Sequence, residues 1–287
     1  MSRVAYVNGR YVRLRDAKVH IQDRGYQLAD GVYEVWAVMN ARLADAAGHF
    51  ERLSRSLREL SIPAPMDHRA LAVVLKETVR RNAVREGLCY LQVTRGVARR
   101  DHAFPTPAPD PAMVVTAHRV DRAAAEARAE RGVAVVTTPE IRWGRCDIKT
   151  IGLLPNVLAK QKARQAGAVE AWFVDAEGLV TEGASSNAWI IDERGKVRTR
   201  DIHANILRGI TRSSLFKVLE REGLQLEERP FTPEEAKRAR EAFMTGAGSL
   251  LLPIVRIDDQ PIGDGRPGPV AKRLRRLYIE EAERTAL

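Results

Sequence analysis

Lys149 is the residue whose type and surroundings are most indicative of chemistry in this sequence. It follows Ile148 and precedes Thr150 and an apolar stretch from Ile151 to Leu154. An apolar setting disfavours the ammonium form of a lysine, and a neutral lysine amine is a nucleophile that reacts readily with aldehydes. The alternative is a loop lysine whose charged end extends into water, and the neighbouring residues alone leave both interpretations open.

The segment 181–187 could bind an anion or a cation. It places one carboxylate, Glu182, before a glycine and small hydroxyl residues that include Ser186. Such a turn can bring backbone N–H groups and a serine hydroxyl close to an anion, while Glu182 faces a cationic or N–H partner. The alternative is an ordinary corner between two strands with a solvated glutamate.

Two glycine-containing segments could bind phosphate. Residues 207–212 begin a predicted helix, in which Gly209 allows close approach of the backbone and Thr211 offers a hydroxyl. Free N–H groups at a helix N-terminus bind phosphate well, although Thr211 could simply cap the helix. Residues 245–249 follow a predicted strand and could form a second phosphate-binding loop, a signal that is weak by itself because glycine-rich turns are common.

A polar loop between two predicted strands carries Arg100 and His102. Residues two apart in an extended segment point to the same side. A guanidinium beside an imidazole is suited to binding a carboxylate. The alternative is a solvated basic loop.

The elements of the first half form an α+β pattern. Asn8 and Gly9 predict a hairpin over residues 4–12, and helical spacing of apolar residues predicts two helices. These helices contain His49 to Leu60 and Leu71 to Val79. The predicted strands are 31–39, 88–96 and 112–117.

The second half is predicted to be rich in β-structure. Residues 121–131 contain few core residues and are interpreted as a connector between domains 1–120 and 132–287. The predicted strands cover 133–138, several segments within 170–199, 225–230, 241–245 and 252–257. The predicted helices cover 156–166 and 209–222, with a short helix from Pro233 and a terminal helix from Pro269.

Composition predicts a packed globular protein of the cytoplasm. The chain has 287 residues, 45% of them hydrophobic, and two cysteines that fit neither a disulfide framework nor a metal-ligand spacing. No apolar run approaches the roughly 20 residues of a membrane helix, and no signal-peptide pattern is recognised. The net charge of +10 allows a nucleic-acid partner, but the arginines are interleaved with acidic residues and form no run of five.

Taken together, these segments resemble the fold-type-IV pyridoxal-phosphate aminotransferases, and most closely the D-amino-acid aminotransferases. The resemblance covers nearly the whole chain, and its specificity comes from the order and spacing of the motifs. The matching stretches are 21–27, 30–35, 49–53, 92–96, 142–149, 158–161, 181–187 and 209–212. It implies a two-domain fold, with an N-terminal α/β sandwich and a C-terminal barrel-like β-domain with helices.

The resemblance also implies the cofactor and the residues that bind it. Lys149 would bind pyridoxal 5'-phosphate covalently and then move the Cα proton, while Glu182 would pair with the ring nitrogen. Arg52 would bind the phosphate, and Leu207 would pack on the ring. The full implied cofactor-binding set is Lys149, Arg52, Glu182, Ser186, Leu207, Ile210, Thr211, Gly246 and Ala247.

The implied substrates are a D-amino acid such as D-alanine and a 2-oxo acid such as 2-oxoglutarate or pyruvate. Tyr33, Arg100 and His102 would bind the substrate carboxylate. In the family the loop with the arginine and histidine comes from the neighbouring subunit, so a homodimer is implied, with no metal, membrane or nucleic-acid partner. The alternatives are a branched-chain L-amino-acid aminotransferase, an (R)-amine transaminase, an aminodeoxychorismate lyase or, outside enzymes, a basic nucleic-acid-binding protein.

The sequence departs from the family pattern at three places. Gly246 and Ala247 stand where relatives often have small hydroxyl residues, which leaves only backbone donors to the phosphate there. Ala184 stands where a serine is common. Arg99 and Asp101 add charges beside the expected carboxylate-binding pair, and such charges could change the range of substrates without changing the type of reaction.

Overall fold

A computed structural model describes residues 3–202 and 206–287, and it divides into two compact units. The first unit comprises Met1–Asp121, Ile148–Gly152 and Thr285–Leu287, and the second comprises Arg122–Asp147 and Leu153–Arg284. The segment that carries Lys149 is therefore part of the first unit, although it lies within the expected second domain. Of the expected connector, 121–131, the residues Arg122–Arg131 form a helix that belongs to the second unit, and Asp121 ends the first segment of the first unit.

The first unit is built on an antiparallel sheet of six strands within the described residues. In spatial order the strands are β2-β1-β6-β5-β3-β4. Their bounds are β1 Val4–Val7, β2 Arg10–Arg13, β3 Gly31–Met39, β4 Arg42–Leu43, β5 Gly87–Thr94 and β6 Ala112–Arg119. The predicted hairpin is confirmed: Asn8 and Gly9 both have positive φ angles, 44° and 91°, as a tight turn between twisted strands requires.

Among the described residues, three α-helices and a short 3-10 helix, Leu14–Asp16, complete the first unit. The α-helices are α1 Arg24–Leu28, α2 Ala46–Glu59 and α3 His68–Arg81. The two long helices, α2 and α3, are the two that the spacing of apolar residues predicts. Leu53 and Leu57 of α2 and Leu75 of α3 share one apolar core with Trp36 of β3. Ile148 belongs to this core as well, so the segment before Lys149 is anchored by burial of its own apolar side chain.

The second unit is built on a nine-stranded sheet within the described residues. Its main order is β12-β11-β10-β13-β14-β7-β8-β9, and β15 pairs with β14. The bounds are β7 Val133–Pro139, β8 Glu170–Val174, β9 Val180–Gly183, β10 Asn187–Ile191, β11 Val197–Thr199, β12 Leu226–Glu228, β13 Glu241–Gly246, β14 Leu250–Ile257 and β15 Gln260–Pro261. Only three residues separate β9 from β10, so these strands must lie close together and the sheet curls, as the expected barrel-like form requires.

In the described part of this unit, five helices accompany the sheet: α4 Arg122–Arg131, α5 Leu154–Gln165, α6 Ile210–Arg221, α7 Pro233–Lys237 and α8 Pro269–Arg284. Ala129 of α4 is buried in the core of the second unit, and this packing is why α4 belongs to that unit. The predicted α+β class is confirmed. Across residues 3–202 and 206–287, no helix has the length and apolar character needed to cross a bilayer.

Candidate active site

Lys149 lies on a short segment that runs beside β3. The N–H of Tyr33 donates to the Lys149 carbonyl at 3.0 Å, and the N–H of Ile151 donates to the Gly31 carbonyl at 3.1 Å. The side chain of Lys149 is half-buried, and its Nζ lies 4.2 Å from the centre of the Tyr33 ring. Main-chain hydrogen bonds therefore fix the backbone at Lys149, and the face of the Tyr33 ring contacts its amine.

Arg52 lies on α2 and forms a buried ion pair with Glu34 of β3. Its Nε and Nη2 donate to the two carboxylate oxygens at 2.7 and 2.8 Å. The ring Nδ1 of His49 contacts Glu34 Oε2 at 2.7 Å. The Ser56 hydroxyl, one turn along α2, accepts from the Lys149 N–H at 3.4 Å. The first unit thus places Lys149 against the Tyr33 ring and places its main chain beside α2, the helix that carries Arg52.

The cluster of Glu34, His49 and Arg52 is fully inside the unit, and its electrostatics follow from that burial. Desolvation alone would raise the pKa of Glu34, but the charge and hydrogen bonds of Arg52, aided by His49, lower it to about 2. Burial lowers the pKa of His49 in spite of the neighbouring carboxylate. Arg52 is therefore the cation that balances Glu34, and His49 is a neutral hydrogen-bond donor.

Acidification is expected to destabilise the protein through this cluster. The folded pKa of Glu34 is about 2, below its ordinary 4.5, so its stabilisation is present above pH 4.5 and is lost as pH falls toward 2. The lowered pKa of His49 acts in the same direction below its ordinary 6.5. For Glu34 the loss between pH 7 and pH 3 amounts to about 2 kcal/mol of unfolding free energy. Urea unfolding at a series of pH values from 7 to 3 measures it.

The matched variants for this acid dependence are Glu34→Gln and Glu51→Gln. Glu51 lies on the exposed side of α2, so its variant should retain the acid dependence of the unmodified protein. Glu34→Gln should be less stable at pH 7, because Arg52 loses its charge partner, and should lose less stability on acidification. Parallel acid curves for the two variants would show that Glu34 is not the group responsible.

The role of Glu34 was not recognised from the sequence, although a signal was present. Val32, Glu34 and Trp36 share one face of β3, and all three are completely buried. A carboxylate on the core face of a strand requires a cationic partner. The same rule does not say which residue supplies the cation, and the structure shows that it is Arg52 of α2.

Glu182 lies at the centre of a second cluster, inside the second unit. Its Oε1 accepts from Arg142 Nη1 at 2.5 Å and from the Leu207 N–H at 3.1 Å. Its Oε2 accepts from Asn187 Nδ2 at 3.0 Å, and the same amide nitrogen donates to the Leu207 carbonyl at 3.1 Å. The alternative of a solvated glutamate at a strand corner is wrong, because Glu182 is only 4% exposed.

Arg142 joins Glu182 to a second carboxylate, Glu140. The guanidinium donates from Nε and Nη2 to Glu140 at 2.9 and 2.6 Å, and Thr181 Oγ1 also donates to Glu140 at 2.9 Å. Burial would raise the pKa of Glu140, but the hydrogen bonds and charge of Arg142 lower it. Arg142 lies in one of the family-like stretches, where it had no predicted role, and Glu140 was not recognised from the sequence. The structure shows that they orient Glu182.

The start of α6 lies beside this cluster. Gly209 is its N-cap, so Thr211 is a residue of the first turn and the interpretation of Thr211 as the cap is wrong. A Cβ on Gly209 would come within 2.0 Å of Asn187 Oδ1, which explains why only glycine fits there. The hydroxyl of Tyr278 donates to the Thr211 hydroxyl at 3.4 Å. The N–H groups of Ile210 and Thr211 lie in the helix turn that has no intrahelical acceptors.

Ser186 and Gly246 lie on the two segments that flank the strand pair β10 and β13. The Ser186 hydroxyl donates to Glu170 Oε2 at 3.0 Å, and the Ser185 hydroxyl donates to the same oxygen at 2.7 Å. A Cβ on Gly246 would lie 3.0 Å from the Ser185 carbonyl, so the two turns approach closely. Ala247 follows Gly246 and is half-buried. Because the Ser186 hydroxyl is turned toward Glu170, the turn around it is fixed by a buried carboxylate that was not recognised from the sequence.

Arg100 and His102 lie in the loop between β5 and β6, and both are exposed. Within residues 3–202 and 206–287 neither side chain forms a hydrogen bond or an ion pair with another residue. The single chain therefore does not bring them to Tyr33. This differs from Lys149, whose amine contacts the Tyr33 ring.

Comparison with known proteins identifies the family. The family profile described as "Amino-transferase class IV" matches residues 31–257. The chain is a class IV aminotransferase. A D-alanine aminotransferase of Staphylococcus aureus (strain N315) is 39% identical over 278 residues, which are 96% of this chain and 97% of that protein. One from Bacillus licheniformis is 40% identical over 270 residues, 93% of each chain.

Solved structures show the same fold. A branched-chain aminotransferase from the thermophilic archaeon Thermoproteus uzoniensis, solved with norvaline, superposes with a TM-score of 0.84 at 26% identity. The match covers 98% of this class IV aminotransferase and 94% of that chain. The predicted fold-type-IV architecture is therefore confirmed. Class IV aminotransferases use pyridoxal 5'-phosphate, so the predicted cofactor is confirmed as well.

Proposed function

We propose that this class IV aminotransferase transfers the amino group of a D-amino acid, such as D-alanine, to a 2-oxo acid, such as 2-oxoglutarate or pyruvate. The observation that carries the proposal is the full-length similarity to D-alanine aminotransferases, 39% over 96% of the chain. The reaction proceeds in two halves, because one site receives the amino group from the donor before it delivers it to the acceptor.

The residues of the chain suit pyridoxal 5'-phosphate. Lys149 offers an amine held against an aromatic ring, Glu182 offers a buried acceptor carboxylate, and the first turn of α6 offers N–H donors of the kind that bind phosphate. When bound, the cofactor supplies an electron sink that stabilises negative charge on the substrate Cα. Lys149 would hold the cofactor through Nζ, and the same amine would carry the proton to and from the substrate Cα.

The remaining cofactor contacts follow from the two clusters. Glu182 pairs with the ring nitrogen, and Arg142 and Asn187 fix its orientation. Leu207, whose N–H and carbonyl are both bound within the Glu182 cluster, packs on the ring. Arg52 contributes its charge to the phosphate. The set that binds the phosphate is completed by Ile210, Thr211, Gly246 and Ala247, and Ser186 is a further cofactor-binding residue.

The substrate carboxylate is bound by Tyr33, Arg100 and His102. Arg100 and His102 are exposed in the single chain, which fits a loop that completes the site of a neighbouring subunit in a homodimer. A carboxylate held on that side leaves the Cα–H of a D-amino acid facing Lys149. The thiols of Cys89 and Cys146 are free and buried, which supports a cytoplasmic enzyme.

A branched-chain L-amino-acid aminotransferase is the second candidate function. The observation in its favour is the TM-score of 0.84 with a branched-chain enzyme. That structural relative is 26% identical, whereas the D-alanine aminotransferase relative is 39% identical over nearly the whole chain. Both candidates use the same cofactor and the same lysine, so they differ only in how the substrate carboxylate is bound.

An absorbance spectrum of the purified protein tests the proposal. We expect a visible band from the bound cofactor, and we expect D-alanine to convert it to the band of the pyridoxamine form. L-leucine in a parallel cuvette should leave the band unchanged. Conversion by L-leucine alone would replace this proposal by the branched-chain function, and a colourless protein that binds no pyridoxal 5'-phosphate would contradict both.

A further inference from the structure

Two buried arginines of the first unit hold the loop that carries Arg100 and His102, residues 99–111, which we call the carboxylate loop. Arg24 and Arg95 are 2% and 5% exposed, and both bind Asp30. Arg95 donates to Asp30 from Nε at 2.7 Å and from Nη2 at 3.0 Å. Arg24 donates from Nε to Asp30 Oδ2 at 2.8 Å.

Arg24 reaches from this pair to the centre of the carboxylate loop. Its Nη1 donates to the backbone carbonyl of Asp101 at 2.6 Å. Asp101 lies between Arg100 and His102, so this hydrogen bond fixes the peptide unit that joins the two proposed ligands of the substrate carboxylate. The bond is to the backbone, and it therefore constrains the loop whatever side chain residue 101 carries.

Arg95 contacts the same loop three residues later. Its guanidinium lies 3.7 Å from the centre of the Phe104 ring. The guanidinium is itself anchored, because Nη1 and Nη2 donate to the carbonyls of Ser61 and Leu60 at 3.0 and 2.7 Å. Phe104 is 59% exposed, so its ring is held against Arg95 at the surface of the unit.

The charges of this network favour a positioning role over a stabilising one. Burial would raise the pKa of Asp30, but the hydrogen bonds and charges of Arg95 and Arg24 lower it. Arg24 and Arg95 share the Asp30 carboxylate, and Arg95 alone already binds both carboxylate oxygens. Burying the second arginine costs free energy that one shared contact offsets poorly. Its distinct contribution is the hydrogen bond to the carboxylate loop.

We propose that Arg24, oriented by Asp30, is a positioning residue that fixes the direction of Arg100 and His102 and so sets the affinity for substrate carboxylates. The inference rests on the proposed function, in which those two residues bind the carboxylate. Arg24 touches neither substrate nor cofactor in this assignment. It acts through the peptide unit of Asp101.

The variant Arg24→Gln tests the proposal in the cofactor-loaded enzyme. We expect KM to rise about tenfold for both D-alanine and the 2-oxo acid, because both carboxylates use the same loop. We expect kcat to stay within about twofold, because the lost interaction is made equally in the ground state and the transition state. Hydrogen exchange of the amides of residues 99–104 should become faster. The control Arg69→Gln removes the same charge from an exposed position on α3 and should change none of these quantities.

A double-mutant cycle with Arg100→Ala separates positioning from general destabilisation. If Arg24 acts through Arg100, most of the effect of Arg24→Gln on KM disappears when Arg100 is already alanine. Independent effects that multiply would contradict the proposal, and so would a wild-type KM in Arg24→Gln. Should Arg24→Gln fail to fold, Asp30→Asn removes the carboxylate that orients Arg24 and leaves Arg24 itself in place. An unchanged KM and exchange rate in that variant would overturn the proposal as well.

The same measurements distinguish failure of the inference from failure of the proposed function. If the unmodified enzyme does not accept D-alanine, or if Arg100→Ala leaves KM unchanged, the proposed function is wrong and the inference falls with it. If both behave as expected and Arg24→Gln has the KM of the unmodified enzyme, only the inference is wrong.

Discussion

Replacing Lys149 by alanine is expected to reduce amino transfer by about a thousandfold or more, because the proposed reaction loses both its nucleophile and its proton carrier. The fold should survive, since the side chain is half-buried and its contact is with the face of the Tyr33 ring. The segment is held instead by Ile148 in the core and by main-chain hydrogen bonds, which alanine retains. Single-turnover absorbance measurements with D-alanine give the rate, and thermal unfolding gives the stability.

The matched control is Lys76→Ala, an exposed lysine on α3. It should retain the rate of the unmodified enzyme, because it removes an amine of the same type that has no part in the proposed chemistry. A small diffusible amine such as methylamine should restore part of the rate to Lys149→Ala, since a free base can carry the Cα proton in place of Nζ. Full activity of Lys149→Ala without added amine would remove this residue from the proposed role.

The sequence was sufficient to predict most of the helices and strands, because these depend on local patterns. The glycine-containing hairpin at residues 8–9 and the apolar spacing of α2 and α3 are properties of a few neighbouring residues. The curl of the second sheet also follows from a short connection, the three residues between β9 and β10. These features need no knowledge of distant contacts.

The partners of the site residues could not be predicted, because each pair joins residues far apart in the chain. Glu34 and Arg52 are 18 residues apart, and Glu182 and Arg142 are 40 apart. Local patterns say that a buried carboxylate needs a cation, but they do not say which cation the fold supplies. The affiliation of Lys149 with the first unit was missed for the same reason, since its partners are in β3 and α2.

Glu182→Gln is expected to lower kcat about a hundredfold, because an amide in place of the carboxylate no longer offers a full negative charge to the ring nitrogen. The substitution preserves size and one acceptor oxygen, so Arg142 and the Leu207 N–H can keep a partner. The new amide nitrogen would face the Nδ2 of Asn187, itself a donor, and this loosens the bond that holds the Leu207 carbonyl. The absorbance band of the bound cofactor should therefore shift as well.

Glu140→Gln distinguishes an effect of Glu182 on the cofactor ring from a structural role of Glu182 as a partner of Arg142. It removes the same charge from the same guanidinium, Arg142, without altering a contact to Leu207 or Asn187. If Glu182 acts on the cofactor ring, Glu140→Gln keeps kcat within about tenfold of the unmodified enzyme and leaves the absorbance band in place. Equal losses in the two variants would make Glu182 a structural partner of Arg142, and the acceptor for the ring nitrogen would then have to be another group.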